Sequence, residues 1–166
     1  MLREITEKDL DKLLLWRNHE SIRSYMYDNS VITAKEHEKW FNEQIVPKHI
    51  IAFIYNENGN DVGMVNFKKT TINNVYNWGF YVAPHAKPGT GMRLGYEALD
   101  YIFNKGHAYK ICGQVLGFNE SSKKFHLKLG FQEEDILIKH YFRDEKYYDQ
   151  FNYGLKKQEW KKLKLQ

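Results

Sequence analysis

An α+β fold, with a mixed and mostly antiparallel sheet of about seven strands flanked by helices, follows from three features of the sequence. Residues alternate with a strand-like period of two through the middle of the chain and again near its end. Helix-like spacing of apolar residues fills the N-terminal third and two later segments. Short turns rich in Asn and Gly join neighbouring strand-like runs and leave no room for a helix between them.

Residues 2–5 make a short first strand. Thr6 then opens a helix whose expected buried stripe is Leu10, Leu13, Leu14 and Leu15, ending near Trp16-Arg17-Asn18-His19. A second helix covers 21–25. A third begins at Thr33, where Thr33 and Glu36 make a capping-box pattern, and runs to about residue 44. From His49 the period changes: 50–55 is a strand, 56–60 a hairpin turn and 61–69 its partner. Asn73-Asn74 turns the chain into a strand over 75–82, with Tyr76, Trp78, Phe80 and Val82 on one face. Past Pro84, the loop Lys87-Pro-Gly-Thr-Gly91 leads into a helix with the stripe Leu94, Ala98, Leu99 and Ile102. A strand over 110–115, a helix over 119–129 closed by Gly130, and strands over 131–142 and 147–155 complete the order. No repeat, linker or composition break interrupts it, so the expectation is one domain over 1–166 with a basic tail at 156–166.

Composition narrows the function. The net charge is +4, yet the segment 156–166 alone carries five Lys and one Glu, so the rest of the chain balances at 20 basic and 20 acidic residues. A nucleic-acid-binding face, which clusters charge on the folded body, is not expected. The tail reads as a solvated end. A lone cysteine, Cys112, excludes an internal disulfide and a cysteine-rich zinc site. The N-terminus has no apolar signal core, and no segment approaches about 18 consecutive apolar residues, so a cytoplasmic protein without a membrane partner is expected.

The strand, glycine loop and helix around Gly89 outline an anion cradle. Glycines let backbone N–H groups approach an anion, and a helix N-terminus adds the positive end of its dipole. A tight strand-to-helix connection accounts for the same residues. Nucleotide motifs do not fit: no Gly-Lys-Ser/Thr ending follows, and Gly95 lies one position late for a dinucleotide fingerprint. What remains suits a pyrophosphate that is bound and not cleaved.

With the element order and this loop, the run Asn119-Glu-Ser-Ser-Lys-Lys-Phe-His-Leu-Lys-Leu-Gly-Phe131 resembles the Gcn-five-related N-acetyltransferase (GNAT) superfamily. Its coenzyme A site pairs a strand-loop-helix cradle with an Asn-x-x-Ser helix ending in Leu-Gly-Phe. The resemblance implies acetyl-CoA as cosubstrate, no metal, and direct transfer to an amine in a ternary complex. It implies pyrophosphate contacts from the N–H groups of Lys87, Gly89, Gly91 and Met92. Val82 and Thr90 join the same coenzyme site, a backbone N–H on the strand before the loop steadies the oxyanion, and Asn119 with Ser122 meets the pantetheine arm. Locally, Asn119 also suits an N-cap.

Four positions depart from the family pattern. Ala86 stands where Gln or Arg is usual, and Pro88 has no N–H to donate. His126 occupies the place of the tyrosine acid. An imidazole of ordinary pKa about 6.5 could protonate the departing thiolate, and a histidine on the helix surface is the plainer alternative. Asn77 stands where many members place a Glu base. His37, His49 and Tyr81 are candidates for that role by residue type alone.

The N-terminal third carries an acceptor set: Arg17, Asn18, Met26, Tyr27, His37 and Trp40. Core packing by Trp16, Trp40 and Phe41, with Arg17 as a helix C-terminal cation, is the structural alternative. Within the superfamily the set resembles the N-acetyltransferases of pseudaminic acid biosynthesis and flagellin glycosylation, which act on the 4-amino group of a UDP-linked 4-amino-4,6-dideoxy sugar. On that resemblance Arg17 and His37, with Lys68 or Lys69, meet the nucleotide diphosphate. Met26, Tyr27 and Trp40 form an apolar wall, and Asn77 joins the acceptor-binding set. The expected partner is thus a small-molecule acceptor, with the protein a monomer or homodimer. Acetylation of protein or peptide N-termini is the alternative enzyme reading, and a non-catalytic binding module on the same fold is the other.

Overall fold

A computed structural model describes residues 1–165; Gln166, the last residue of the expected tail, lies outside the described residues. The strands are β1 (Leu2–Glu4), β2 (Ile50–Glu57), β3 (Asn60–Lys69), β4 (Val75–Val82), β5 (Lys110–Leu116), β6 (Gln132–Arg143) and β7 (Lys146–Lys156). They form a seven-stranded sheet in the order β1-β2-β3-β4-β5-β7-β6. The pairings β1–β2, β2–β3, β5–β7 and β6–β7 are antiparallel, and β4–β5 is parallel. The helices are α1 (Leu10–Asn18), α2 (Glu20–Arg23), α3 (Ala34–Trp40), α4 (Thr90–Asn104), α5 (Glu120–Lys128) and α6 (Lys157–Leu163). The α+β expectation and the order of elements are met; α6 is the element that the sequence reading lacked.

Two compact units share these elements: Met1–Lys68 with Gly79–Ala98, and Lys69–Trp78 with residues 99–165. Strand β4 and helix α4 each pass from one to the other.

In the first unit, Thr6 caps a 3-10 turn over Glu7–Asp9 that leads into α1. The buried residues of α1 are Leu13 and Trp16, whereas Leu15 is 73% exposed. Four leucines close together cannot all lie on one helical face, and the larger Trp16 takes the inward position one turn on from Leu13. The Thr33/Glu36 capping box forms as the spacing predicts, with both Thr33 N–H and Thr33 Oγ1 donating to Glu36 at 2.7 Å. Helix α3 then widens into a π-helical turn over Phe41–Ile45. The core gathers Ile5, Leu13, Trp16, Ile22, Ala52, Ile54, Met64 and Ala83, with Met26, Trp40, Phe41 and Tyr81 packed against it.

A charged knot closes this unit at β1. Arg3 donates to Asp9 at 2.9 and 2.7 Å and to Asp61 at 2.6 Å, while Lys12 reaches both carboxylates. The Arg3 hydrogen bond holds the Asp9 carboxyl well below the usual carboxylate range.

In the second unit, α5 is capped by Asn119, whose Oδ1 accepts Ser122 N–H at 3.1 Å, and ends at Gly130 with φ of +88°. The solvated-tail expectation is corrected here. Trp160 of α6 is 2% exposed, its Nε1 donates to Asp100 at 2.8 Å, and its ring centroid lies 6.5 Å from that of Phe103. Lys164 also donates to Asp100, at 2.7 Å. One buried aromatic anchor with a partly buried hydrogen bond is enough to dock a segment that its lysines make look solvated.

Candidate active site

The loop between β4 and α4 is built in the first unit. Ala83 N–H donates to Val62 O at 2.8 Å, which fixes the chain where it leaves β4, and Thr90 N–H donates back to Lys87 O at 3.1 Å. The N–H groups of Lys87, Gly89, Gly91 and Met92 meet no acceptor among the described residues. Gly89 has φ of +86°, a conformation that side-chain-bearing residues avoid. Those free donors and that glycine fit a phosphate group: they supply N–H groups and the backbone is open to close approach.

Two residues that sequence reasoning missed hold this loop. Arg93 donates to Glu57 through Nε at 2.5 Å and Nη2 at 3.1 Å, and to Thr90 Oγ1 at 3.1 Å. Thr90, 1% exposed, donates to the same carboxylate at 3.3 Å, and the Tyr55 hydroxyl does so at 2.9 Å. Arg93, more than the other donors, pulls the Glu57 pKa down to about 2. Arg93 Nη1 stands 2.9 Å from where a Gly89 Cβ would be, so a guanidinium lies against the glycine turn despite Ala86. Arg93 follows Thr90 at helical spacing, but only the β2–β3 hairpin brings Glu57 to it, so sequence carried half of this signal.

Helix α5 belongs to the second unit. Val82, Lys87, Gly89, Thr90, Gly91 and Met92 therefore fall in one unit, and Asn119 and Ser122 in the other. His126, expected on the helix surface or as an acid, is 2% exposed. Its Nε2 accepts Trp78 Nε1–H at 3.1 Å and its Nδ1–H donates to Ser122 O at 2.7 Å. Its ring stacks on Tyr153 at 5.1 Å and meets Phe131 edge-on at 5.0 Å. Burial pushes its pKa down to about 4, against a smaller opposite effect of the Ser122 carbonyl, so the ring is neutral at pH 7. A proton on Nε2 would set two N–H groups face to face with Trp78.

The acceptor set lies mainly in the first unit: Arg17, Asn18, Met26, Tyr27, His37, Trp40, Lys68 and Tyr81. Lys69 and Asn77 are exposed residues of the second, and Asn77 pairs with Cys112 across β4–β5. Asn18 is engaged by the backbone of Ile32 on both sides, donating from Nδ2 to O and accepting at Oδ1 from N–H, each at 2.8 Å. Arg17 donates from Nη2 to Asp28 O at 2.6 Å, and Arg23 donates to Asn29 O at 3.1 Å. These side chains strap the irregular segment between α2 and α3. Arg17 Nη1 is buried and has no hydrogen-bond partner among the described residues. His37, 7% exposed, stacks on Trp40 at 5.2 Å, and burial followed by the Arg17 charge lowers its pKa. Burial raises the Tyr81 phenol well above its usual range.

The acetyltransferase (GNAT) domain family matches residues 2–151. The chain belongs to that family. As a GNAT protein it is an acetyl-CoA-dependent N-acetyltransferase that acts on an amine. It is 28% identical over 131 residues to the SPbeta prophage-derived uncharacterized N-acetyltransferase YokL of Bacillus subtilis (strain 168), covering 76% of this chain and 73% of that one. The fold is also that of a spermidine N-acetyltransferase from Vibrio cholerae solved with CoA and spermine, with TM-score 0.88, 24% identity and 96% of each chain covered. An N-acetyltransferase from Staphylococcus aureus Mu50 aligns at TM-score 0.80 and 23% identity over 95% of this chain and 98% of that one.

In this acetyltransferase, Cys112 is partly buried and its thiol pKa is raised by burial, which disfavours the thiolate that a covalent acetyl-enzyme would need. Among the described residues no group of three or more His, Cys, Asp or Glu is placed to hold a metal ion. No described helix is long and apolar enough to cross a membrane.

Proposed function

We propose that this N-acetyltransferase acts on an amine whose carrier also bears a negative charge, and that the acceptor is a UDP-linked 4-amino-4,6-dideoxy sugar. The observation that carries this reading is Arg17: a guanidinium with one buried nitrogen that has no partner among the described residues. A buried N–H left without an acceptor costs roughly 1–3 kcal/mol, and a diphosphate oxygen reached by a small movement of the Asp28 strap removes that cost. A polyamine, the acceptor named for the Vibrio neighbour, would bring ammonium groups toward this charge. Met26 and Trp40, partly buried at the edge of the core, suit a uracil or 6-methyl face.

Acetyl-CoA supplies the thioester carbonyl that the amine attacks. On the protein side, His37 is the group suited to take the ammonium proton, because its lowered pKa keeps the imidazole neutral at pH 7. Tyr81, with its raised pKa, keeps its proton and serves as a donor. The loop N–H groups of Lys87, Gly89, Gly91 and Met92 are read as the pyrophosphate contacts. The cytoplasm is the setting that suits a nucleotide-sugar acceptor.

Release of free thiol from acetyl-CoA tests the reading, measured with a UDP-4-amino-4,6-dideoxy sugar, spermidine and a panel of peptide amines. Turnover with the nucleotide sugar is expected. Turnover with spermidine or peptides alone overturns the acceptor assignment.

A further inference from the structure

His126 sits where the family places an acid, yet its surroundings suit a different task. Four residues of the second unit are linked by three hydrogen bonds, the second and third joined through the covalent backbone of Ser122. Trp78 Nε1–H on β4 donates to His126 Nε2 at 3.1 Å; His126 Nδ1–H donates to Ser122 O at 2.7 Å; Ser122 N–H donates to Asn119 Oδ1 at 3.1 Å. The chain fixes the orientation of the Asn119 carboxamide, since Oδ1 is committed and Nδ2 donates to nothing among the described residues.

The fold makes room for this chain. A Cβ on Gly113 of β5 would collide with His126 Nε2 and stand 3.0 Å from Trp78 Nε1, so that glycine keeps the two rings within bonding distance. Around the imidazole are the rings of Phe125, Phe131, Trp78 and Tyr153. Among the described residues, two carboxylates act on the Tyr153 side of this cluster: Glu133, which accepts the Tyr153 hydroxyl at 3.4 Å, and Glu120. An imidazole enclosed in this way is held in one orientation by its hydrogen bonds.

We propose that His126 is a positioning residue: it transmits the place of strand β4 to the first turn of α5 and holds Asn119 with Nδ2 aimed to donate to an amide carbonyl of the coenzyme's pantetheine arm. This rests on Asn119 being a coenzyme contact, as the family resemblance implies. Transfer then proceeds without a proton from His126, and the departing thiolate is protonated by another group or by water.

Binding of CoA and acetyl-CoA to the full chain, measured by titration calorimetry without any acceptor, tests this. Asn119→Ala sets the reference loss. Trp78→Phe removes the indole N–H together with part of the ring that stacks on Phe125 and Phe131, so some loss of melting temperature accompanies it, and it is expected to weaken binding about tenfold, the equivalent of about 1.4 kcal/mol for one neutral hydrogen bond. His126→Gln, whose amide can still accept from Trp78, is expected to bind closer to the parent. If Asn119→Ala leaves binding unchanged, the coenzyme contact itself is absent and the proposal falls with it. If Asn119→Ala weakens binding while Trp78→Phe only lowers the melting temperature, the chain is packing alone and the positioning role is overturned. A nitrogen-15 spectrum of the parent protein supplies an independent reading: a neutral ring with its proton on Nδ1 at pH 7 supports the proposal, and a proton on Nε2 overturns it.

Discussion

Trp160→Ala separates a docked C-terminal helix from a solvated one. The side chain is 2% exposed, packs beside Phe103 and donates its indole N–H to Asp100 at 2.8 Å. Emptying the site of a buried tryptophan costs about 3–5 kcal/mol in transfer and cavity terms. The Asp100 carboxylate is half-exposed and regains water, so its lost bond adds little. Urea unfolding followed by far-UV circular dichroism should show the midpoint falling with the slope unchanged, since the native fold persists. Lys161→Ala, on an exposed face of the same helix, is the control and should stay within about 0.5 kcal/mol of the parent. A Trp160→Ala loss below about 1 kcal/mol would mean that α6 contributes no docking energy, and the basic-tail reading would stand after all.

Three further outcomes are expected. Arg17→Gln should raise the KM for an anionic acceptor by about tenfold, the scale of one charge-assisted hydrogen bond, with the KM for acetyl-CoA unchanged in initial-rate assays. Glu57→Gln should weaken coenzyme A binding severalfold while leaving the melting temperature within a degree or two, because the partly exposed latch orients Thr90 and Arg93 more than it stabilises the fold. Stability should fall as pH drops from about 6.5 to about 4. The buried imidazole of His126 stays neutral in the fold to about 4, whereas the unfolded histidine takes up a proton near 6.5, so the unfolded state binds more protons in that window. The two values differ by roughly 3 kcal/mol in proton affinity, and unfolding midpoints at pH 7 and pH 4.5 should converge in His126→Gln relative to the parent.

The fold was legible because it is written in local periodicities. Strand β4 and the stripe Leu94, Ala98, Leu99 and Ile102, each 0% exposed, lie where alternation and helical spacing put them. Caps were equally local: Thr33 with Glu36, and Asn119 with Ser122, each need only three residues of spacing. Leu15 misled because a run of leucines has no unique face until Trp16 claims the interior. The lysines around Trp160 misled because charge density says how a segment is hydrated, and one buried ring decides whether it docks.

The sequence by itself determined the family, the order of the strands and of the helices other than α6, and a glycine loop that could cradle an anion, since each rests on residue types at fixed short spacing. Tertiary structure alone decided what the polar groups do there. Glu57 meets Arg93 across 36 residues and Trp78 meets His126 across 48. No periodicity encodes such pairings, because they depend on how strands and helices pack. The same packing set the state of His126: desolvation by rings drawn from β4, α5 and β7 keeps its imidazole neutral, and only the folded chain brings those rings together.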